Sequence, residues 1–295
     1  MALKIRGIIP PIVTPMLPDE EVDYPTLRKL IDHQIACGVH GIFVLGTTGE
    51  CYALDAVEKQ KIVATAVEQV NRRVPVYAGT GAETTREAIL HTKMAQREGA
   101  DGVSVITPYF IMPNQSEIAD HYRRVAETTS LPVVLYSNPV TCGGLKIEPD
   151  TVAKLSNVKN IVAIKDSSGD LQNLIETIRL VPESFAVLQG RDTLLAAGLM
   201  FGAMGAVPAS CNIAPKLVVE LYESFVAGDI DRTKAAQARL SPIRLALMMG
   251  TAPGVVKQAM ALSGFDVGPS RSPIAPLSAE KRAKLKEILT EAGLA

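Results

Sequence analysis

Eight short apolar runs recur at nearly even spacing along this chain of 295 residues. Their first residues are 34, 33, 28, 29, 30, 24 and 20 positions apart, which leaves room for a helix and two turns after each run. The runs cover residues 7–13, 41–46, 74–79, 102–107, 131–137, 161–166, 185–190 and 205–209. Because they are apolar on both faces, they are typical of parallel strands. Eight such units favour a (β/α)8 TIM barrel over a doubly wound sheet.

Helix signals lie between these runs, and prolines interrupt two of them. An Asp-x-Pro start and two capping-box spacings precede helical patterns, at Asp23 and Pro25, Asp55 and Glu58, and Thr84 and Glu87. Prolines interrupt the first run at Pro10 and Pro11 and the eighth at Pro208, and we expect them at strand ends.

The pattern beyond the eighth run is helical only, over residues 216–226, 230–249, 254–263 and 279–292. This is more chain than one closing helix requires. We therefore predict a barrel catalytic domain over residues 1–225 and a C-terminal helical extension over 226–295, packed on the barrel.

The charge balance excludes several partners. There are 30 Lys and Arg against 31 Asp and Glu, for a net charge of -1, and no basic stripe for nucleic acid or anionic lipid. The start of the chain does not resemble a secretory signal, and no apolar stretch approaches the roughly 20 residues that span a bilayer. We expect a cytoplasmic protein without nucleic-acid or membrane partners.

The sequence offers no cofactor site. The cysteines are far apart and form no CxxC pair, which favours reduced thiols: Cys37, Cys51, Cys142 and Cys211. No histidine ends a predicted strand, so metal catalysis is disfavoured: His33, His40, His91 and His121. No GxGxxG follows the first strand. We expect neither a metal nor an organic cofactor.

Catalytic groups of a barrel lie at the carboxyl ends of its strands. The sixth run ends Ile-Lys-Asp at Lys165 and Asp166. Burial penalises an ammonium group, and a free amine there could form a Schiff base. Equally, Lys165 could reach solvent or pair with Asp166.

The fifth run places Tyr136 at the matching height of the neighbouring strand. Adjacent strands are about 4.8 Å apart, so this phenol would lie within proton-transfer reach of an adduct on Lys165. A core tyrosine with a satisfied hydroxyl is the alternative.

The second run ends in Gly46-Thr47-Thr48-Gly49-Glu50. A loop of two glycines around two threonines can offer N–H groups and hydroxyls to a small carboxylate. An ordinary glycine turn with capping threonines is the alternative.

Together these segments resemble the dihydrodipicolinate synthase and N-acetylneuraminate lyase family of class I pyruvate-dependent Schiff-base aldolases. The resemblance runs nearly the full length, through Ile9-Pro10-Pro11-Ile12-Val13-Thr14-Pro15, Gly46-Thr47-Thr48-Gly49-Glu50, Thr107-Pro108-Tyr109, Tyr136-Ser137-Asn138-Pro139, Ile164-Lys165-Asp166 and Gly205-Ala206-Val207.

The resemblance implies roles for five residues. Lys165 is the Schiff-base lysine, Tyr136 the proton donor and acceptor, and Thr47 a relay to Tyr136. Thr48 binds the substrate carboxylate, and the backbone of Val207 contacts bound pyruvate. It also implies a homotetramer built from dimers.

Two positions depart from the lysine-pathway synthases of that family. Thr141 stands where those enzymes have an arginine that holds the second substrate's carboxylate, and Phe110 stands where they have a second tyrosine, near a subunit boundary. A threonine offers no charge-assisted fork. We therefore expect a less anionic second substrate, with Thr141 and Gly190 as further substrate-binding candidates.

The leading hypothesis is a lyase, an aldolase or dehydratase, that acts on a 2-oxo acid through an imine on Lys165. Such a substrate could be a 2-keto-3-deoxy sugar acid or a 4-hydroxy-2-oxo acid. Alternatives are a 4-hydroxy-tetrahydrodipicolinate synthase with an altered clamp, a phosphosugar aldolase using the Gly190-Arg191 end of the seventh run, and a non-catalytic oxo-acid sensor. We expect residues 140–145 and 209–212 to set specificity.

Overall fold

A computed structural model describes residues 5–295 of the chain. Residues 1–4, part of the start that argued against a secretory signal, lie outside the described residues. Eight strands form one parallel sheet in the order β1-β8-β7-β6-β5-β4-β3-β2. Their bounds are β1 Gly7–Ile8, β2 Ile42–Val44, β3 Val76–Gly79, β4 Gly102–Ile106, β5 Val133–Ser137, β6 Ile161–Asp166, β7 Ala186–Gln189 and β8 Gly205–Ala206.

The first and last strands of that order meet, which closes the barrel. Pro11 and Phe43 form a parallel bridge. The Ile12 N–H donates to the Phe43 carbonyl at 3.0 Å, and the Phe43 N–H donates to the Pro10 carbonyl at 3.0 Å. The predicted (β/α)8 barrel is thereby confirmed.

Each of the eight predicted runs contains a strand, and β6 agrees with its prediction at both ends. The first and eighth are much shorter than predicted, at two residues each. Proline lacks the N–H that a continuous ladder needs, and Pro10, Pro11 and Pro208 all follow the shortened strands. Glycine lets the two short strands approach closely. A Cβ on Gly205 would lie 2.2 Å from the Gly7 carbonyl oxygen, so the backbones of β1 and β8 touch.

Helices alternate with the strands and continue after them. α1 to α8 cover Tyr24–Ala36, Ala56–Val70, Thr85–Arg97, Gln115–Ala126, Pro149–Leu155, Leu171–Leu180, Leu195–Met200 and Pro215–Val226. The caps predicted at Asp23, Asp55 and Thr84 accept from backbone N–H groups, and the pair of Asp55 and Glu58 forms a complete capping box.

Three further helices follow the barrel: α9 Ile230–Ala246, α10 Gly254–Leu262 and α11 Ala279–Glu291. Leu240, Leu285 and Leu289 are fully buried in the same hydrophobic cluster as the outer faces of the strands. The division at residue 225 stays a prediction, since packing alone does not define a domain boundary.

A second, smaller cluster fills the inside of the barrel. It is formed by Ile5, Ile9, Phe43, Tyr77, Val134, Ala163, Ala186, Leu188 and Val207. Because side chains alternate along a strand, residues two positions beyond its members also point into the barrel. Lys165 follows Ala163 in this way, and Tyr136 follows Val134.

Within residues 5–295, no helix combines the length and the apolar character that crossing a membrane requires.

Candidate active site

Lys165 lies at the carboxyl end of β6 and is 4% exposed. Its Nζ lies 3.9 Å from the centroid of the Tyr136 ring and 5.2 Å from that of Phe43. The Asp166 carboxylate is occupied by other partners: it accepts from the Ser168 N–H at 2.7 Å and the Asn173 amide at 3.0 Å. Lys165 is thus held among rings, neither in solvent nor paired with its neighbour.

Tyr136 is the direct neighbour of Lys165 in the β5–β6 register. Its hydroxyl lies 3.4 Å from Thr47 Oγ1, and the Asn138 amide donates to it at 3.2 Å. An amide nitrogen can only donate, so the phenol oxygen accepts there and its own proton is left for Thr47 or a substrate.

Thr47 and Thr48 lie half-buried on the loop after β2. This loop is bounded by two residues with left-handed backbones, Leu45 and Glu50, each at φ 58°. The Thr14 hydroxyl donates to the Gly49 carbonyl at 2.7 Å and holds the loop from β1's side.

Two small cavities surround these groups. One of about 20 Å³ is lined by Lys165, Val207 and Ser104, among others, and one of about 10 Å³ by Thr47, Tyr136 and Ser104. Each is about the size of one water molecule. A substrate must therefore reach Lys165 from the open end of the barrel.

The remaining candidates lie at the same end. The Gly190 N–H donates to the Asp166 carbonyl at 2.7 Å, and a Cβ on Gly190 would lie 2.0 Å from Ser167 Oγ, so glycine permits close approach of β6 and β7. The Thr141 hydroxyl donates to the Asn138 carbonyl at 3.4 Å from an exposed turn. Whether Gly190, Val207 and Thr141 contact substrate stays a prediction.

Phe110 does not belong to the buried site. It is 86% exposed with φ 77°, next to exposed Ile111 and Met112. Tyr109 lies beside Glu83, and burial, followed by the charge of Glu83, raises the pKa of its phenol.

Sequence reasoning missed two contacts of the site. It assigned no role to Phe43, whose ring faces Lys165, or to Asn138, although Asn138 stands in the quoted Tyr-Ser-Asn-Pro motif two residues after Tyr136. That spacing was the available signal for Asn138. For Phe43 there was none, since an aromatic residue in an apolar run is indistinguishable from core.

The described part of the chain contains no cluster of three or more His, Cys, Asp or Glu side chains placed to hold a metal ion. His33, His91 and His121 lie on α1, α3 and α4, and His40 precedes β2. Burial, followed by the charge of Arg124, lowers the pKa of His121 to about 4.

Comparison with known proteins gives consistent matches. The model of the dihydrodipicolinate synthetase family matches residues 4–292. A 4-hydroxy-tetrahydrodipicolinate synthase of Methanothrix thermoacetophila is 40% identical over 287 residues, which are 97% of this chain and 96% of that protein.

Two solved structures superpose closely. The dihydrodipicolinate synthase of Thermotoga maritima has a TM-score of 0.96 at 33% identity and covers 99% of this chain and 100% of its own. YagE of E. coli K12, a prophage protein of the dihydrodipicolinic acid synthase family solved in complex with pyruvate, has a TM-score of 0.93 at 35% identity, with 98% and 99% covered.

Proposed function

Because the chain belongs to the dihydrodipicolinate synthetase family, we propose that it cleaves or dehydrates a 2-oxo acid through an imine on Lys165. Like the family's other members, it is a Schiff-base-forming lyase. The observation that carries the proposal is the buried Lys165 amine 3.9 Å from the Tyr136 ring, with the Tyr136 hydroxyl within reach of Thr47. A lysine nucleophile and a proton shuttle together suit imine chemistry.

The proposed reaction begins when the Lys165 amine adds to the C2 carbonyl and water leaves, forming an iminium. In an aldol cleavage the C3–C4 bond breaks and its electron pair moves into the iminium to give an enamine. The Tyr136 phenol gives up its proton when that water leaves, so its phenolate can accept the proton of the C4 hydroxyl, and an aldehyde departs. Protonation of the enamine at C3 and addition of water then release pyruvate and free Lys165.

The substrate carboxylate would lie at the loop of Thr47 and Thr48, across the barrel from Lys165. Thr141 bears no charge, so a 2-keto-3-deoxy sugar acid or a 4-hydroxy-2-oxo acid suits the outer part of the site better than an acidic semialdehyde.

A second candidate is the condensation of pyruvate with aspartate semialdehyde. It is favoured by the similarity to the Methanothrix protein, which is a 4-hydroxy-tetrahydrodipicolinate synthase. A coupled assay with both substrates, run beside a retro-aldol panel of sugar acids, separates the two candidates. A higher rate in the coupled assay would make the synthase, and not the lyase, the leading candidate.

Borohydride reduction in the presence of pyruvate tests the mechanism. The reduced adduct should appear on the peptide that carries Lys165 and be lost in Lys165→Met. Lys146→Met is the matched control, because Lys146 lies at the same end of the barrel but pairs with Asp170 at 3.5 Å. An unmodified Lys165 in folded protein would refute the proposal, and trapping with a triose phosphate alone would favour a phosphosugar aldolase. Thermal stabilisation by an oxo acid without turnover would indicate a sensor.

We also propose the homotetramer. Phe110, Ile111, Met112 and Val140 are 52% to 86% exposed, and Met112 lies against Gly143, so the two loops form one apolar surface. Such a surface is typical of an interface. Light scattering should give four chains per particle, and Phe110→Glu should give smaller particles. Location in the cytoplasm stays a prediction that cell fractionation can test.

A further inference from the structure

A second lysine is fully buried at a distance from Lys165 along the chain. Lys257 lies in α10 of the C-terminal extension, and its side chain is 1% exposed. Its Nζ lies 2.6 Å from Glu50 Oε1 and donates to the Pro269 carbonyl at 2.6 Å. Lys257 lines neither of the cavities beside Lys165. Its partner, by contrast, ends the loop that contains Thr47 and Thr48.

In the described part of the chain, the Glu50 carboxylate takes both its ion pair and its hydrogen bond from the extension. Its side chain is 0% exposed, and its Oε2 accepts from the Arg271 N–H at 2.9 Å. Among residues 5–295, no hydrogen bond of suitable angle reaches Oε1 despite its short distance to Lys257, so the charge of Lys257 balances the charge of this carboxylate. Removing Lys257 would leave the Glu50 carboxylate buried without its countercharge, a strongly destabilising arrangement that favours a shift of Glu50 toward water.

The loop depends on such support because of its backbone. Leu45 and Glu50 both adopt the left-handed conformation, which is unfavourable for residues other than glycine and persists only where surrounding contacts impose it. Thr47 and Thr48 lie between these two residues. A change in Glu50 is therefore transmitted directly to the two threonines.

Arg271 holds the chain that follows. Its guanidinium forms two hydrogen bonds with Glu58, at 2.7 and 2.8 Å, and donates to the Ala53 carbonyl at 2.7 Å. Glu58 is the third residue of α2 and part of its capping box. The extension thus forms hydrogen bonds both with the end of the Thr47 and Thr48 loop and with the start of α2.

We propose that Lys257 is a positioning residue, which sets the carboxylate-binding loop of Thr47 and Thr48 by pairing with Glu50. The proposal rests on the proposed function, in which that loop binds the carboxylate of the 2-oxo acid. The proposal gives the C-terminal extension a part in substrate binding, although the extension lines neither of the cavities beside Lys165.

The test is borohydride trapping of Lys165 over a range of pyruvate concentrations, in wild type and in Lys257→Met. The variant should need about 10-fold more pyruvate or above for half-maximal labelling, because a misplaced binding group can cost as much as 100-fold. Labelling at saturating pyruvate should match wild type, since Lys165 and Tyr136 are untouched.

Met260→Ala is the matched control. Met260 lies in the same helix, is 1% exposed and belongs to the hydrophobic cluster, so its truncation weakens the extension without removing the charge beside Glu50. Its half-maximal concentration should stay within about twofold of wild type. Glu50→Gln, which keeps the shape and removes the charge, should also raise that concentration and replaces Lys257→Met if the latter fails to fold.

The outcomes are distinguishable. A wild-type protein that is not trapped overturns the proposed function and, with it, the role of the loop. Normal trapping with an unchanged half-maximal concentration in Lys257→Met, or in Glu50→Gln if it is used instead, overturns the positioning role alone. Equal increases in the tested variant and in Met260→Ala also overturn it, because they indicate a general loss of stability.

Discussion

Replacing Tyr136 by phenylalanine should slow proton transfer strongly while the site stays packed. The ring would remain over Lys165 Nζ, at the 3.9 Å seen for tyrosine. What is lost is the hydroxyl that faces Thr47 Oγ1 at 3.4 Å and accepts from the Asn138 amide at 3.2 Å. Imine formation needs Lys165 as the nucleophile, and water can supply the proton that is lost with Tyr136, so the two steps can be measured apart.

The expected magnitude follows from these contacts. General acid–base catalysis by a positioned side chain typically contributes about 10²- to 10⁴-fold, which is about 2.7–5.4 kcal/mol of barrier at 1.36 kcal/mol per tenfold. The cost to stability is smaller. Two neutral hydrogen bonds at about 1 kcal/mol each set a ceiling of about 2 kcal/mol on the fall in the free energy of unfolding.

Exchange of the methyl hydrogens of pyruvate with deuterated solvent, followed by NMR, measures this step without knowledge of the second substrate. Tyr136→Phe should slow the exchange by about 10²- to 10⁴-fold and still be trapped at Lys165 by borohydride. Tyr122→Phe is the control, because it loses a buried hydrogen bond to the Val105 carbonyl on the outer side of the barrel. An exchange rate in Tyr136→Phe within about threefold of wild type would refute the assignment.

Three further changes test other parts of the structure. Thr47→Val removes the hydroxyl next to Tyr136 and should slow the same exchange by about 5- to 10-fold, as expected for one hydrogen bond; an unchanged rate would argue against a relay. The pKa of His121 is about 4 in the folded protein and about 6.5 in the unfolded chain, so the stability that depends on its neutral form is fully present above pH 6.5. As the pH falls from 6.5 to 4 the unfolded state takes up a proton first, and up to about 3.4 kcal/mol of stability is lost. His121→Gln should flatten that fall in urea unfolding experiments, and curves parallel to wild type would contradict it. Gly205→Ala places a Cβ 2.2 Å from the Gly7 carbonyl oxygen and should lower the free energy of unfolding by about 1–3 kcal/mol or more in the same experiment. Equal stability would show that β1 and β8 can move apart.

The sequence was sufficient for most of the barrel because parallel strands covered on both sides form continuous apolar runs. The run at residues 161–166 had clear ends and agrees with β6 at both. The runs with internal prolines were predicted too long. Apolar character persists through Pro10 and Pro11 although the ladder cannot, so hydrophobicity alone does not locate a strand end.

The neighbouring placement of Lys165 and Tyr136 was predictable from two local rules, the common height of strand ends and the alternation of side chains. The pair of Glu50 and Lys257 was not. Nothing near Lys257 distinguishes it from a solvent-exposed helical lysine, and its partner lies in a distant segment. Contacts of this kind depend on how the extension packs, which no local pattern describes.

The seam where the barrel closes has a consequence for its dynamics. In the described residues, β1 and β2 are joined around one bridge, between Pro11 and Phe43, where prolines remove donors that other strand pairs possess. Backbone amides there should exchange with solvent at a lower free energy of opening than those of β5 and β6. Phe43 also lies 5.2 Å from the Lys165 amine, so opening this seam would admit water to Lys165. The exchange rate of the Phe43 backbone amide therefore reports how well the barrel excludes water from the Lys165 amine.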